Sequence, residues 1–210
     1  MEQTNIVAIM GIAVTELEPS ESINGTKLKG WRFMVETKRL SGVSDYAEIY
    51  ITEKTNTDGL LPFMAQQPVM IIGKLQTCKD FKTKRVLAFV LADHVAVAGK
   101  GYEMQNDVKI AGKLGKGITY RERNSGKRIT TIMLEVPSAI RAATSCYIPC
   151  ICWQALADKV KEWSVGDEVE LTGRLQSRDF VKHTADEDIA RTSYEVSIFN
   201  IKKLEKERQQ

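Results

Sequence analysis

Val108 and Ile110 alternate with the polar Asp107 and Lys109. This is the two-residue period of a strand with one buried face. Tyr120 to Val136 reads as a hairpin turning at Asn124-Ser125-Gly126, and Thr130, Ile132, Leu134 and Val136 share one parity of its return strand. Cys146 to Trp153 is a third strand. The period then changes: Leu156, Val160 and Trp163 stand at i, i+4 and i+7, which predicts a helix from Gln154 to Trp163, with Gly166 as its C-terminal cap. Val169, Leu171 and Leu175 mark a long fourth strand, and Tyr194, Val196 and Ile198 a fifth that extends towards Asn200.

This pattern is the second copy of a repeat. Asn5-Ile6-Val7-Ala8-Ile9-Met10-Gly11 returns as Asn106-Asp107-Val108-Lys109-Ile110-Ala111-Gly112, an offset of 101 (106 − 5). Gly73-Lys74-Leu75-Gln76-Thr77 returns as Gly173-Arg174-Leu175-Gln176-Ser177, an offset of 100 (173 − 73). Two motifs in the same order at nearly one offset divide the chain near Gly99-Lys100-Gly101, into 1–100 and 101–210. The first copy follows the plan less cleanly. Its hairpin loop, Glu16 to Gly30, is longer and acidic, and its helix shrinks to a short piece around Leu60 to Gln67, interrupted by Pro62. An extra residue near Cys78-Lys79 predicts a bulge that re-aims Lys79 and Phe81. The fold class is all-β. Five strands with a helix between the third and fourth is the order of an OB-fold, so the chain is expected to be two tandem OB-folds, each a five-stranded Greek-key barrel.

Composition narrows the classes. The chain has 210 residues, with 30 Lys plus Arg against 27 Asp plus Glu, a net charge of +3. Hydrophobic residues make up 43%, which excludes collagen-like and acidic disordered chains. No apolar run approaches the roughly 18–20 residues of a membrane span. The start lacks a basic segment followed by an apolar stretch, so no secretory signal is expected and the cytoplasm is the expected compartment. Cys146, Cys150 and Cys152 crowd one strand, Cys78 stands alone, and His94 and His183 are distant. Without a C-x-x-C pair this is a set of buried thiols, neither a zinc site nor a disulfide framework. Gly112-Lys113-Leu114-Gly115-Lys116-Gly117 is not a phosphate loop, because Ile118 stands where that pattern needs Lys. No H-E-x-x-H or G-x-S-x-G pattern occurs, so no enzyme, metal or cofactor is expected.

Three motifs carry a resemblance. They are Asn106-x-Val-x-Ile-x-Gly112, the Cys150-Ile151-Cys152-Trp153-Gln154-Ala155-Leu156-Ala157 strand-to-helix junction, and the run from Gly166 through Gly173-Arg174-Leu175-Gln176-Ser177-Arg178-x-Phe180. They resemble the bacterial single-stranded DNA-binding protein family, over nearly all of the second half and mainly the two ends of the first. The resemblance implies an OB-fold that binds single-stranded DNA by base stacking and phosphate contacts, in replication, recombination or repair. Four such folds assemble in that family, so two of these chains are expected to form a homodimer. Family members often end in an acidic, Pro-Phe-containing tail that recruits replication proteins. This chain shows Lys202-Lys203-Leu204-Glu205-Lys206-Glu207-Arg208-Gln209-Gln210, so recruitment by that route is not expected. The alternative is a primosomal or replication accessory protein that acts through protein contacts.

Strand parity tests the chemistry, because sequence-tolerant binding of single strands needs aromatic faces and cations together. If the cysteines face the core, Tyr147 and Trp153 face outward. If Val169, Leu171 and Leu175 face in, then Arg174, Gln176, Arg178 and Phe180 face out together. Tyr147, Trp153 and Phe180 also align with the family's stacking positions. Seven basic residues between Lys109 and Arg128 (Lys109, Lys113, Lys116, Arg121, Arg123, Lys127 and Arg128) face a single acid in that stretch, Glu122. In the first copy Tyr46 aligns with Tyr147, Thr52 replaces Trp153, Tyr50 is a substitute stacker, and Glu48 opposes phosphate. Lys74, Lys79 and Phe81 complete the expected DNA-binding set. The repeats should therefore be unequal, the second binding more tightly. Trp31 is expected in the core or at a barrel edge, and Trp163 in the core.

Overall fold

The computed structural model describes residues 4–20, 29–57, 63–79, 86–183 and 188–204. The first copy contributes β1 (Asn5–Ala13), β2 (Glu18–Ser20), β3 (Gly30–Lys38), β4 (Ser44–Thr52), β5 (Pro68–Lys79) and β6 (Val86–Val97). The second contributes β7 (Gln105–Leu114), β8 (Thr119–Glu122), β9 (Arg128–Pro137), β10 (Ser145–Trp153), α1 (Ala155–Val160), β11 (Glu168–His183) and β12 (Asp188–Lys203). The alternating apolar positions are the buried ones. Val7, Val35, Ile49, Ile71 and Val90 of the first copy and Val108, Ile132, Leu134, Cys150, Leu171 and Val196 of the second are all buried, in one continuous hydrophobic core.

The strands run in the order β2-β3-β4-β6-β5-β1-β7-β11-β12-β10-β9-β8, with further pairings β3–β1 and β7–β9 that curl each copy back on itself. Two glycines per copy make this closure possible. A Cβ at Gly11 would strike the Glu36 carbonyl, and one at the equivalent Gly112 the Glu135 carbonyl. Gly73 and Gly173 meet the Leu91 and Ser197 carbonyls in the same way. The repeated motifs therefore mark where backbones cross too closely for a side chain.

The copies join through β1 and β7, which pair antiparallel with Val7 opposite its own counterpart Val108. The join is nearly two-fold symmetric. Thr77 Oγ1 accepts from the Tyr147 N–H at 3.2 Å, and Ser177 Oγ accepts from the equivalent Tyr46 N–H at 2.9 Å. A buried Asp45 carboxylate, held by Arg39 at 2.6 and 2.7 Å, accepts from the Ser177 N–H at 3.0 Å. The described strands thus form one continuous sheet.

Several expectations change. The helix covers Ala155–Val160 only, and the Trp163 N–H closes a turn on the Val160 carbonyl. Gly166 is not its cap. It lies in the following turn, at φ 90, donating to the Leu114 carbonyl. In the first copy the described part of the expected Leu60 to Gln67 helix is a turn, with Gln66 at φ 66 and its N–H on the Ala13 carbonyl. Residues 58–62 lie outside the described set. No bulge occurs at Cys78-Lys79, since β5 and β6 stay in register from Gly73↔Ala92 to Lys79↔Val86. The register shift lies at Ile72/Gly73 instead, and its counterpart at Thr172/Gly173. Trp31 shares the inward parity of Phe33 and Val35 but is 47% exposed at the barrel edge, whereas Trp163 packs against the core.

The outer surfaces of the copies differ. On the first, Ile6, Ala8 and Met10 of β1 adjoin Met70 and Ile72 of β5 and Ala96 of β6. On the second, the matching rows carry Lys109, Lys113, Glu168, Glu170 and Lys202, tied by ion pairs. Among the described residues, no helix is long and apolar enough to cross a membrane.

Candidate nucleic-acid interface

The outward face of β10, β12 and β11 begins with the buried thiols opposite it. Cys146, Cys150 and Cys152 are in the core, and burial pushes the Cys152 thiol up to about 12 and Cys150 well above its usual range. These are packing groups, because a protonated thiol is a poor metal ligand or nucleophile. Their burial turns the alternate residues of β10 outward, leaving Tyr147 46% and Trp153 37% exposed. The Trp153 indole N–H donates to Ser197 Oγ at 3.2 Å, which fixes the ring over β12. Ser197 pairs with Arg174 on β11. Arg178 and Phe180 continue that strand, both exposed, and with Pro149, Tyr194 and Glu195 they line a cleft of about 360 Å³.

The hairpin β8–β9 brings one arginine to this face. Arg121 pairs with Ile129, and Ile129 with Trp153, so the three form a row across the sheet. Arg123 and Lys127 sit at the hairpin tip, where the Arg123 N–H donates to the Lys127 carbonyl. Among the described residues Arg121, Arg123 and Lys127 make no ion pair.

Other cations are engaged elsewhere. Arg128 binds Asp158 at 2.6 Å and the Gln154 side chain at 3.3 Å, clamping the start of α1. Lys109 lies 3.5 Å from Glu170 and Lys113 3.7 Å from Glu168. Lys113 stands opposite Glu168, six residues back along β11 from Arg174, about 20 Å at strand rise. Gln176 is 7% exposed, with its amide donating to Glu195 at 2.7 Å, so it offers no ligand-facing group.

The first copy fills its corresponding face with itself. Tyr50 is 6% exposed and packs against Phe89 with ring centroids 4.8 Å apart and the planes tilted by 60°, and Ile140 of the second copy packs against the pair. It is therefore not a substitute stacker. Glu48 does share its face, but it is paired to Arg32 at 3.2 Å, and burial raises its carboxyl above the usual range despite that partner. Lys74 is held by Asp93 at 2.8 and 2.9 Å. Tyr46 remains exposed. Lys79 is carried across the join to line a second cleft, about 360 Å³, with Tyr147 and Arg141. Phe81 lies outside the described residues.

Sequence reasoning missed Phe199. The register shift at Gly173 leaves Phe199 between Ile198 and Asn200 without a partner on β11, and it emerges 54% exposed. The Arg174 guanidinium sits 5.6 Å from its ring centroid. The only sequence signal was an aromatic breaking the alternation of β12.

An all-β pair of barrels, one with an outward face of aromatics and arginines, defines the class. Residues 105–204, the second copy, match the model of the Single-strand binding protein family. The fold is also that of the wild-type single-stranded DNA-binding protein from Thermus aquaticus. That match has a TM-score of 0.75 and 16% identity, over 100% of this chain and 97% of that one. A deletion mutant of the same Thermus protein matches with a TM-score of 0.75 and 16% identity, over 98% and 96%. No curated protein matches the chain.

Proposed function

We propose that this chain binds single-stranded DNA without catalysing a reaction, through two OB-folds of unequal strength divided near residue 100. The observation that carries the reading is the outward face of the second copy. Tyr147, Trp153 and Phe180 stand exposed there beside Arg121, Arg174 and Arg178. Bases stack on the rings and phosphates meet the cations, giving tolerant, salt-sensitive binding. The first copy supplies Tyr46 and Lys79 beside the join and adds less, because Tyr50, Glu48 and Lys74 are already occupied.

The same reading makes the protein a homodimer. A two-fold contact needs a surface complementary to itself. The uncharged rows Ile6, Ala8, Met10, Met70 and Ile72 meet that requirement against a second copy. Light scattering should give the mass of two chains, and Ile72→Glu should give one.

Titration with oligo-dT, followed by intrinsic tryptophan fluorescence at two salt concentrations, tests the binding. Quenching that weakens as salt rises is expected. Absence of both quenching and salt-dependent binding would overturn the reading.

A further inference from the structure

Phe199 and Arg174 belong to the binding face by geometry, yet neither the strand alternation nor the family's stacking positions include the phenylalanine. The bulge at Gly173 inserts Phe199 as an extra residue, and a ring 54% exposed gains nothing from the core. Arg174 lies over that ring at 5.6 Å, within cation–π range. Its Nε is buried and has no hydrogen-bond partner among the described residues. Burial and the charge of Arg39 disfavour its charge, and Asp45 favours it. A half-buried guanidinium with one unpartnered nitrogen, lying beside an open ring, offers a place for an anion and a planar group together.

The first copy supplies the contrast. There the bulge at Gly73 inserts Asp93 in place of Phe199, and Lys74 replaces Arg174. The two close on each other as an ion pair at 2.8 Å, leaving neither a ring nor an open cation.

We propose that Phe199 and Arg174 form a further nucleotide seat. One unpaired base stacks on the free face of Phe199, and its phosphate neutralises Arg174. Trp153 is the neighbouring seat, because its indole reaches Ser197, the residue paired with Arg174. The strand thus passes from Trp153 over Phe199 along the bulged end of β12. This rests on the single-stranded DNA reading above.

The test uses the full chain with Phe199→Ala, Phe199→Trp and Arg174→Gln, and oligo-dT carrying 5-iodouracil for photocrosslinking. Phe199 is at the surface, so its variants should fold, and circular dichroism checks this. Phe199→Ala should weaken binding about 5- to 150-fold, the range for losing one stacked base. Phe199→Trp should restore it and add quenching. Arg174→Gln should lower the slope of log K against log salt by about 0.7, one single-strand phosphate. A crosslinked peptide should contain residue 199. Wild-type binding with unchanged affinity in Phe199→Ala and no crosslink at 199 would overturn the seat while leaving the general reading intact. No binding by the wild-type chain would overturn both.

Discussion

The side-chain amide of Asn106 spans the peptide of Leu175, donating to its carbonyl at 2.7 Å and accepting from its N–H at 2.9 Å. Asn5 does the same to Leu75, at 2.9 and 3.0 Å. The ladder of β7 with β11, and that of β1 with β5, ends two residues earlier, at Gly173 or Gly73. The amide replaces the next pair of backbone bonds as the strands part. Only a side chain that donates and accepts over a short reach can do this.

Asn106→Ala should therefore cost about 1–3 kcal/mol, because both Leu175 backbone groups lose a partner in a half-buried place. Asn106→Asp keeps only the acceptor and should recover part of the loss. Chemical denaturation midpoints at fixed m-value measure both.

Gly112→Ala and Gly99→Ala should diverge. A methyl at Gly112 meets the Glu135 carbonyl where the barrel closes, and about 1–3 kcal/mol is expected for overpacking a contact that cannot yield. At Gly99 nothing lies within 4 Å and the backbone is unstrained, so alanine should be neutral or slightly stabilising. Equal melting temperatures would contradict the account of closure.

Glu48 predicts a pH dependence. Its folded-state pKa is raised, chiefly by burial, so the folded protein holds the proton more tightly than the unfolded chain. The ionised carboxylate therefore costs stability above the folded pKa. That cost is relieved as pH falls through the folded pKa, and is gone below the ordinary carboxylate value. Glu48→Gln should stabilise the protein at neutral pH, with the gain vanishing in acid. Thermal melts from pH 4 to pH 7 should converge at the acid end.

Trp153→Ala should weaken oligo-dT binding by about 1–3 kcal/mol, the worth of a stacked base. Tyr46→Ala should cost less, because its copy lacks the neighbouring ring and cation. Equal losses in fluorescence-independent binding, measured by anisotropy, would refute the inequality of the copies.

The parity reading of β10 and β11 was legible because a strand's alternation is local and the thiols and aliphatics of one face declare the core. It placed Tyr147, Trp153, Phe180 and Arg178 correctly on the outside. It failed where the partner lies far along the chain. Lys109 and Lys113 looked unopposed until β11 brought Glu170 and Glu168 across from them. Tyr50 had the outward parity of a stacker, but Phe89 and Ile140 cover it. Phe199 broke the alternation of β12, but its exposure depends on a register shift against β11 that β12 alone does not specify.

The amino-acid sequence by itself determined that this is a doubled, all-β chain, that each copy repeats the same asparagine and glycine motifs, and which side of β10 is buried. Those properties follow from short-range periodicity and from residues whose backbone role admits few substitutes. Only the tertiary structure decided which outward groups remain open. That depends on register, on bulges, and on the antiparallel join of Val7 with Val108, which packs part of the first copy's face against the second. Exposure is a property of what lies opposite a side chain, and the chain brings residues far apart in sequence, such as Tyr50 and Ile140, into those places.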